Sequence, residues 1–283
     1  MPTLKIAIPN KGSLADPAAE MLREAGYRQR GSGRELMLRD PDNSVDFYFL
    51  RPRDIAVYVG SGILDIGITG RDLLLDSGAP AEEVLALDFA HSTFRFAAHP
   101  GTATRIRDFG GLRVATSYTG ILGKYFADLG IDAEVIRLDG AVENAVSLGV
   151  ADIIADVVET GATLQQAGLE IVGEPILRSE AVLVGRAGGE LAPGVELFVR
   201  RLQGVLTARR YVMMDYDIRA ERVDDACALT PGIESPTVSP LHREGWVAVR
   251  AMVPRAEAQR VMDDLWDIGA RGILVTDILA TRL

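Results

Sequence analysis

Glu143, Asp156, Glu159, Thr160 and Thr163 are the residues whose types and spacing suggest chemistry first. They sit in one stretch, Glu143 to Leu164. It begins as a helical run ended by Gly149, enters an apolar strand through Ile153, Ile154, Val157 and Val158, and turns through Glu159-Thr160-Gly161-Ala162-Thr163 into another helix. A strand feeding a short Gly/Thr loop that feeds a helix suits an anionic group, because free backbone N–H groups point into the loop. Carboxylates repel phosphate but accept hydrogen bonds from hydroxyls. A loop for phosphate beside Asp156 and Glu143 therefore describes a sugar phosphate. Read alone, the loop is also an ordinary turn, Glu143 an ordinary first-turn acid and Asp156 half of an ion pair. Asp156 resists that reading, since an unpaired carboxylate among apolar residues is costly.

The other strand-end loops divide by charge. The first half of the chain supplies Lys11, Arg51, Arg53 and Arg71, with Asp72 beside the last. The second half supplies Asp139, Glu143, Asp156 and Glu159. Each cation alone is as readily a solvated loop residue, but together they describe a cationic wall for a polyphosphate facing a hydroxyl-binding wall for a sugar. The histidines His91, His99 and His242 fall outside these loops, so no histidine base is expected.

The elements that must position these residues follow in order. Leu4–Pro9, Val45–Leu50 and Leu64–Thr69 read as strands, with helices from Leu14 and after Arg53. The plan recurs with strands at Leu112–Thr116, Glu134–Leu138 and Asp152–Val157 and helices between them. Gly62 to Thr69 aligns on Gly149 to Asp156, which puts Thr69 at the position of Asp156. Two similar lobes are expected, each a parallel sheet with ligands at the carboxyl ends of its strands. Phe94–Ala98 and Ala181–Val184 are expected to cross between them, and a helix follows from about Leu191 to Arg210. From Tyr211 the order becomes β-α-β-β-α-β, with one strand around Thr237, a ferredoxin-like unit suited to assembly or regulation. The expected division is 1–92 with 182–210 as the first lobe, 93–181 as the second and 211–283 as the C-terminal domain.

At 283 residues, 48% hydrophobic and 25% charged, the chain has the composition of a multidomain globular protein. A net charge of −10 argues against nucleic acid or an anionic membrane as partner. No apolar run reaches the roughly 18 residues of a membrane span, and the opening apolar run stops at Pro9, so a cytoplasmic protein is expected. The lone Cys227 rules out internal disulfides and cysteine metal clusters.

The run Glu143, Gly149, Ala151, Ile154, Asp156, Val157, Thr160, Gly161, Thr163, Leu164 resembles the signature of the ATP phosphoribosyltransferase family. Pro9–Leu14 (PNKGSL), Gly67–Asp72 (GITGRD) and the closing domain resemble that family too, in its long form. The resemblance implies two lobes of the periplasmic-binding-protein type (type II) around a cleft, plus a C-terminal ferredoxin-like βαββαβ regulatory domain. It implies transfer of a phosphoribosyl group from phosphoribosyl pyrophosphate to N1 of ATP, the first step of histidine biosynthesis, with Mg²⁺ on ligands the sequence does not identify. Glu159, Thr160, Gly161, Ala162, Thr163 and Leu164 would hold the 5′-phosphate, with Asp156 and Glu143 on the ribose hydroxyls. Lys11, Arg51 and Arg71, with Asp72, would meet the pyrophosphate and ATP. Family members often have Arg where this chain has Ser13, which puts that contact in doubt. Histidine would inhibit from a pocket of Asp217, Ile233, Ser235, Thr237, Met252 and Gly272, in a homo-oligomer that exchanges between dimer and hexamer. The competing readings are a two-lobed small-molecule binding protein and a non-catalytic regulatory subunit.

Overall fold

The computed structural model describes residues 3–31, 35–158 and 161–282. The chain begins with β1 (Leu4–Pro9), α1 (Ala15–Glu24), β2 (Met37–Asp40), β3 (Val45–Leu50), α2 (Pro52–Gly60), β4 (Ile66–Gly70), α3 (Arg71–Ser77) and β5 (Ala81–Ala86). Next come β6 (Ser92–Ala98), β7 (Arg113–Thr116), α4 (Thr119–Leu129), β8 (Glu134–Arg137), α5 (Asn144–Ser147), β9 (Ile153–Val158), α6 (Ala162–Gln166) and β10 (Glu170–Ser179). It continues with β11 (Ala181–Arg186), α7 (Val195–Arg210), β12 (Tyr211–Arg219), α8 (Val223–Leu229), β13 (Thr237–Pro240), β14 (Trp246–Pro254), α9 (Ala258–Asp267) and β15 (Arg271–Asp277).

The first sheet runs β2-β3-β1-β4-β11-β5 and the second β10-β6-β9-β7-β8. Their inner strands are mostly apolar because both faces are covered over most of their length: Ile6, Ile66, Ile68 and Val182 to Val184 are buried. The sequence suggested a parallel sheet in each lobe, but neither sheet is wholly parallel, and in the first β2 also runs antiparallel to β3. β11 runs antiparallel to β4 and β5, and β6 antiparallel to β9 and β10. The reason lies in the crossings. Phe94–Ala98 is part of β6, inside the second sheet, and Ala181–Val184 is part of β11, inside the first. The chain crosses instead through residues 87–91 and, on its return, through Glu180 alone. Each returning strand must therefore enter its sheet against the parallel direction. The result is two α/β lobes joined at two crossings, the periplasmic-binding-protein plan.

The internal repeat is structural. Asp65 accepts a hydrogen bond from the Lys5 N–H at 2.7 Å, and Asp152 accepts one from the Arg113 N–H at 2.9 Å. Each aspartate precedes the third strand of its lobe and ties that strand to the first. Thr69, the counterpart of Asp156, is buried and donates to the Pro52 carbonyl at 2.8 Å, so the first lobe uses this position for packing.

Gly67 on β4 lets α2 sit directly on the sheet. A Cβ there would stand 2.5 Å from Ile55 Cγ2 and 2.9 Å from Ala7 Cβ. Gly67→Ala is expected to destabilise the fold by about 1–3 kcal/mol through overpacking. A lowered urea midpoint with an unchanged slope is the expected result, and an unchanged midpoint would refute this account of the contact.

The chain falls into two compact units, residues 1–22 with 27–196, and 23–26 with 197–283. Most of α7 thus groups with the C-terminal unit, whereas the sequence reading kept it with the first lobe. The packing explains the difference: a Cβ on Gly204 would collide with the Thr281 carbonyl, Arg209 pairs with Glu24 at 2.8 Å, and α7 runs into β12 without a loop. In this unit β13-β14-β12-β15 form an antiparallel sheet in ferredoxin-like order. Val212, Met214, Tyr216 and Ile218 point toward α8 and α9, and Cys227 packs into the same core.

Candidate active site in the cleft

The carboxyl ends of the parallel strands in both lobes open on one cavity. It is lined by Lys11, Gly12 and Ser13 after β1, by Gly70 and Asp72 after β4, by Tyr118 and Val157 of the second lobe, and by Ser179 and Glu180 at the crossing. Lys11 is exposed at its rim, and Arg51 is exposed at the N-cap of α2. Among the described residues neither makes an ion pair.

Asp156 projects from β9 and is held by the Val157 N–H at 2.8 Å. Burial above all pushes its carboxyl up to about 6, opposed by the Val157 hydrogen bond; the charges of Glu143 and Asp72 add to the rise and Arg53 works against it. Glu143 is half-buried at the N-cap of α5. The anion loop is partly described. Glu159 and Thr160 lie outside the described residues, Gly161 has φ 75°, and Ala162 and Thr163 open α6 with exposed side chains. Leu164 is buried in the core, so its side chain is not open to a ligand.

Of the expected cationic wall, Arg53 pairs with Asp76 and Arg71 with two glutamates, and the neighbouring Asp72 has partners as well. Arg71 donates to both Glu83 oxygens at 2.8 and 2.9 Å and to Glu180 at 3.1 Å, and these carboxylates raise its already high pKa. It braces β5 and the crossing at Glu180. Asp72 is buried and accepts from the Ser179 hydroxyl at 2.7 Å. It also accepts from Tyr118, whose phenol is driven far above its usual range by burial and by the Asp72 charge. Tyr118 and Ser179 were not read from the sequence as site residues. Tyr118 stands in the Ser117–Gly120 strand-end loop, where position alone could have flagged it; Ser179 ends β10, a strand the sequence does not announce.

In the C-terminal unit, Asp217, Thr237 and Met252, expected around histidine, share the sheet face opposite α8 and α9 and come from three different strands. Asp217 on β12 lies against Gly272 on β15, where a Cβ would stand 3.6 Å from Asp217 Oδ2. Thr237 pairs in register with Arg250, and Met252 with Met213. Ile233 and Ser235 occupy the exposed loop before β13. From β13 to β15 the set spans three strand spacings, about 14 Å.

The sequence matches the family described as HisG, ATP phosphoribosyltransferase, over residues 51–204, and the HisG C-terminal domain over residues 208–280. It is 66% identical to the ATP phosphoribosyltransferase of Streptomyces avermitilis, covering 99% of this chain and 100% of the relative. It is 62% identical to that of an Arthrobacter species, again over 99% and 100%. Among solved structures it is similar to the ATP phosphoribosyl transferase (HisG:HisZ) complex from Thermotoga maritima, with a TM-score of 0.62 and 28% identity. That match covers 98% of the Thermotoga chain and 72% of this one. With both family models matched in order and curated relatives more than 60% identical over nearly the whole chain, this chain belongs to the ATP phosphoribosyltransferase family, in the long form that carries the HisG C-terminal domain.

Proposed function

We propose that the cleft holds phosphoribosyl pyrophosphate with its 5′-phosphate on the loop from Glu159 to Leu164 and its ribose hydroxyls on Asp156 and Glu143. The phosphoribosyl group then passes to N1 of ATP. The observation behind this reading is Asp156: a carboxylate pushed up to about 6 in the last half of β9, five residues before Gly161. Such a group accepts from hydroxyls where water is largely excluded.

The enzyme is a transferase of the first step of histidine biosynthesis. The adenine N1 lone pair forms the new bond to the ribose C1 carbon as the C1–O bond breaks, and pyrophosphate leaves with the electron pair. No acid or base need act on the nucleophile, so the protein's task is alignment and charge stabilisation. Lys11 and Arg51, exposed and without an ion pair among the described residues, would meet the phosphates. Arg71 and Asp72 are less available, since reaching substrate would break the contacts described above.

The family requires a divalent metal, and Mg²⁺ is the proposed ion. The cleft fits a hard cation, because burial and mutual repulsion leave uncompensated negative charge on an all-oxygen set. Asp72 is committed to two hydroxyls, so Asp156 and Glu143 would hold the ion. Each has two oxygens, enough to accept from a hydroxyl as well. When bound, the ion would offset the charge of the departing pyrophosphate. The exposed Asp88 and His91 and the half-buried Glu180 also stand close together, but Glu180 already accepts from Arg71 and the Asp88 N–H.

Histidine is the proposed inhibitor, bound on the C-terminal sheet at Asp217. The spread of its expected contacts supports a homo-oligomer, dimer and hexamer, in which a second copy closes the pocket. An inhibitor on a separate domain must act by preferring one of two states. Among the described residues no helix is long and apolar enough to cross a membrane, and the cytoplasm is the proposed compartment.

Mixing the protein with ATP, Mg²⁺ and phosphoribosyl pyrophosphate should change the ultraviolet absorbance as adenine N1 is substituted. No change, with ligand binding still detectable, would favour the binding-protein reading.

A further inference from the structure

The two lobes meet at a third place besides their two crossings. Asp72 and Asp76 lie four residues apart and so on one face of α3, turned toward the start of α4 in the other lobe. Asp72 takes the Tyr118 hydroxyl. Asp76 accepts from the Gly120 N–H at 2.8 Å and the Ile121 N–H at 3.2 Å, satisfying two of the donors that open α4. Its second oxygen binds Arg53 at 2.7 Å, and the Arg53 guanidinium lies 4.8 Å from the centre of the Tyr118 ring. The Asp76 carboxylate is itself nine-tenths buried. The fit is tight: a Cβ on Gly120 would collide with the Asp76 backbone carbonyl.

The cavity behind this contact measures about 180 Å³. Pockets for a single drug-sized ligand occupy about 300–1,000 Å³. That cavity is open to solvent on one side, and any parting of the lobes to admit a nucleoside triphosphate and a sugar diphosphate together would separate α3 from α4.

We propose that Asp76 is a positioning residue, an interlobe clasp that releases α4 when the cleft opens and re-forms when it closes, fixing Arg53 and Tyr118 beside Asp156. This rests on the transferase reading for its kinetic consequence but not for its structural one. Substrates bind the open form without Asp76, whereas the reacting geometry is complete only with the clasp made. Loss of the clasp should therefore act on kcat more than on KM.

The experiment uses the full chain and two variants, well below the unfolding temperature of each. Asp76→Ala should lower kcat about 10–100-fold while both KM values stay within about threefold. Asp76→Asn keeps an oxygen for the two amides but loses the Arg53 ion pair, and should recover part of that loss. By hydrogen exchange on the free protein, the Gly120 and Ile121 amides should be protected, exposed by Asp76→Ala and largely re-protected by Asp76→Asn. Unchanged exchange in Asp76→Ala overturns the clasp whatever the enzyme's activity. Faster exchange with unchanged kcat, or a rise in KM alone, overturns its role in alignment. A lower thermal midpoint with kcat per folded molecule intact would mean that Asp76 serves stability only.

Discussion

Asp156→Asn is expected to lower kcat/KM for phosphoribosyl pyrophosphate on the order of 10²-fold and, at the same time, to make the protein more stable at pH 7. The activity loss follows from replacing an ionised acceptor of ribose hydroxyls, since hydrogen bonds to charged groups carry about 1.5–3 kcal/mol each. The gain in stability follows from the sign of the perturbation. The folded state holds the Asp156 carboxyl at about 6, above the ordinary aspartate value of 3.8, so it favours the protonated form. Stability from this group is fullest at low pH and declines as the pH rises toward 6. Above 6 the fold carries the cost of a buried charge, at most about 3 kcal/mol. A neutral isostere removes that cost. Wild-type kcat/KM should accordingly rise through pH 6 as Asp156 ionises beside Glu143, Asp72, Arg53, Tyr118 and its cross-strand neighbour Arg95, and Asp156→Asn should lack that limb. A variant that loses both stability and activity would mean Asp156 is a structural ion-pair residue.

Asp217→Ala should raise the histidine concentration needed for half-inhibition about 10–100-fold and leave uninhibited turnover unchanged. Asp217 is the acidic member of the expected set, half-buried on the open sheet face against Gly272, and suited to an ammonium or imidazolium. Its loss removes a charge-assisted hydrogen bond without touching the cleft. Inhibition curves with and without the substitution decide the matter, and superimposable curves would place the inhibitor elsewhere.

The strands buried on both faces, β1, β4 and β9, were legible because they are runs of apolar residues that only a covered sheet explains. The C-terminal unit was legible too, down to the short β13 at Thr237. Other strands were hidden. β5, Ala81–Ala86, consists largely of residues at home in a helix and becomes a strand by pairing with β11. β10 contains Gly173 and Pro175, and its pairing with β6 shifts between Val172 and Leu177, so it shows no clean alternation. Of the site, Asp156 announced itself as a carboxylate at an apolar strand's mouth. The partners of Arg71 and Asp76 could not be seen, since they lie 12 to 109 residues away in sequence and depend on which elements meet.

β10 ends at Ser179 and β11 begins at Ala181, so the return between lobes has a single residue of slack. Adding or removing one residue there would invert which of Val182, Leu183 and Val184 face each side of the first sheet, and would pull Ser179 away from Asp72. The neighbouring 87–91 segment, which already includes left-handed Asp88 and Ala90, has more chain to absorb a change. Length variation and inserted reporters should be tolerated in that longer segment before they are tolerated at Glu180, which makes the shorter crossing the ruler that sets the spacing of the two halves.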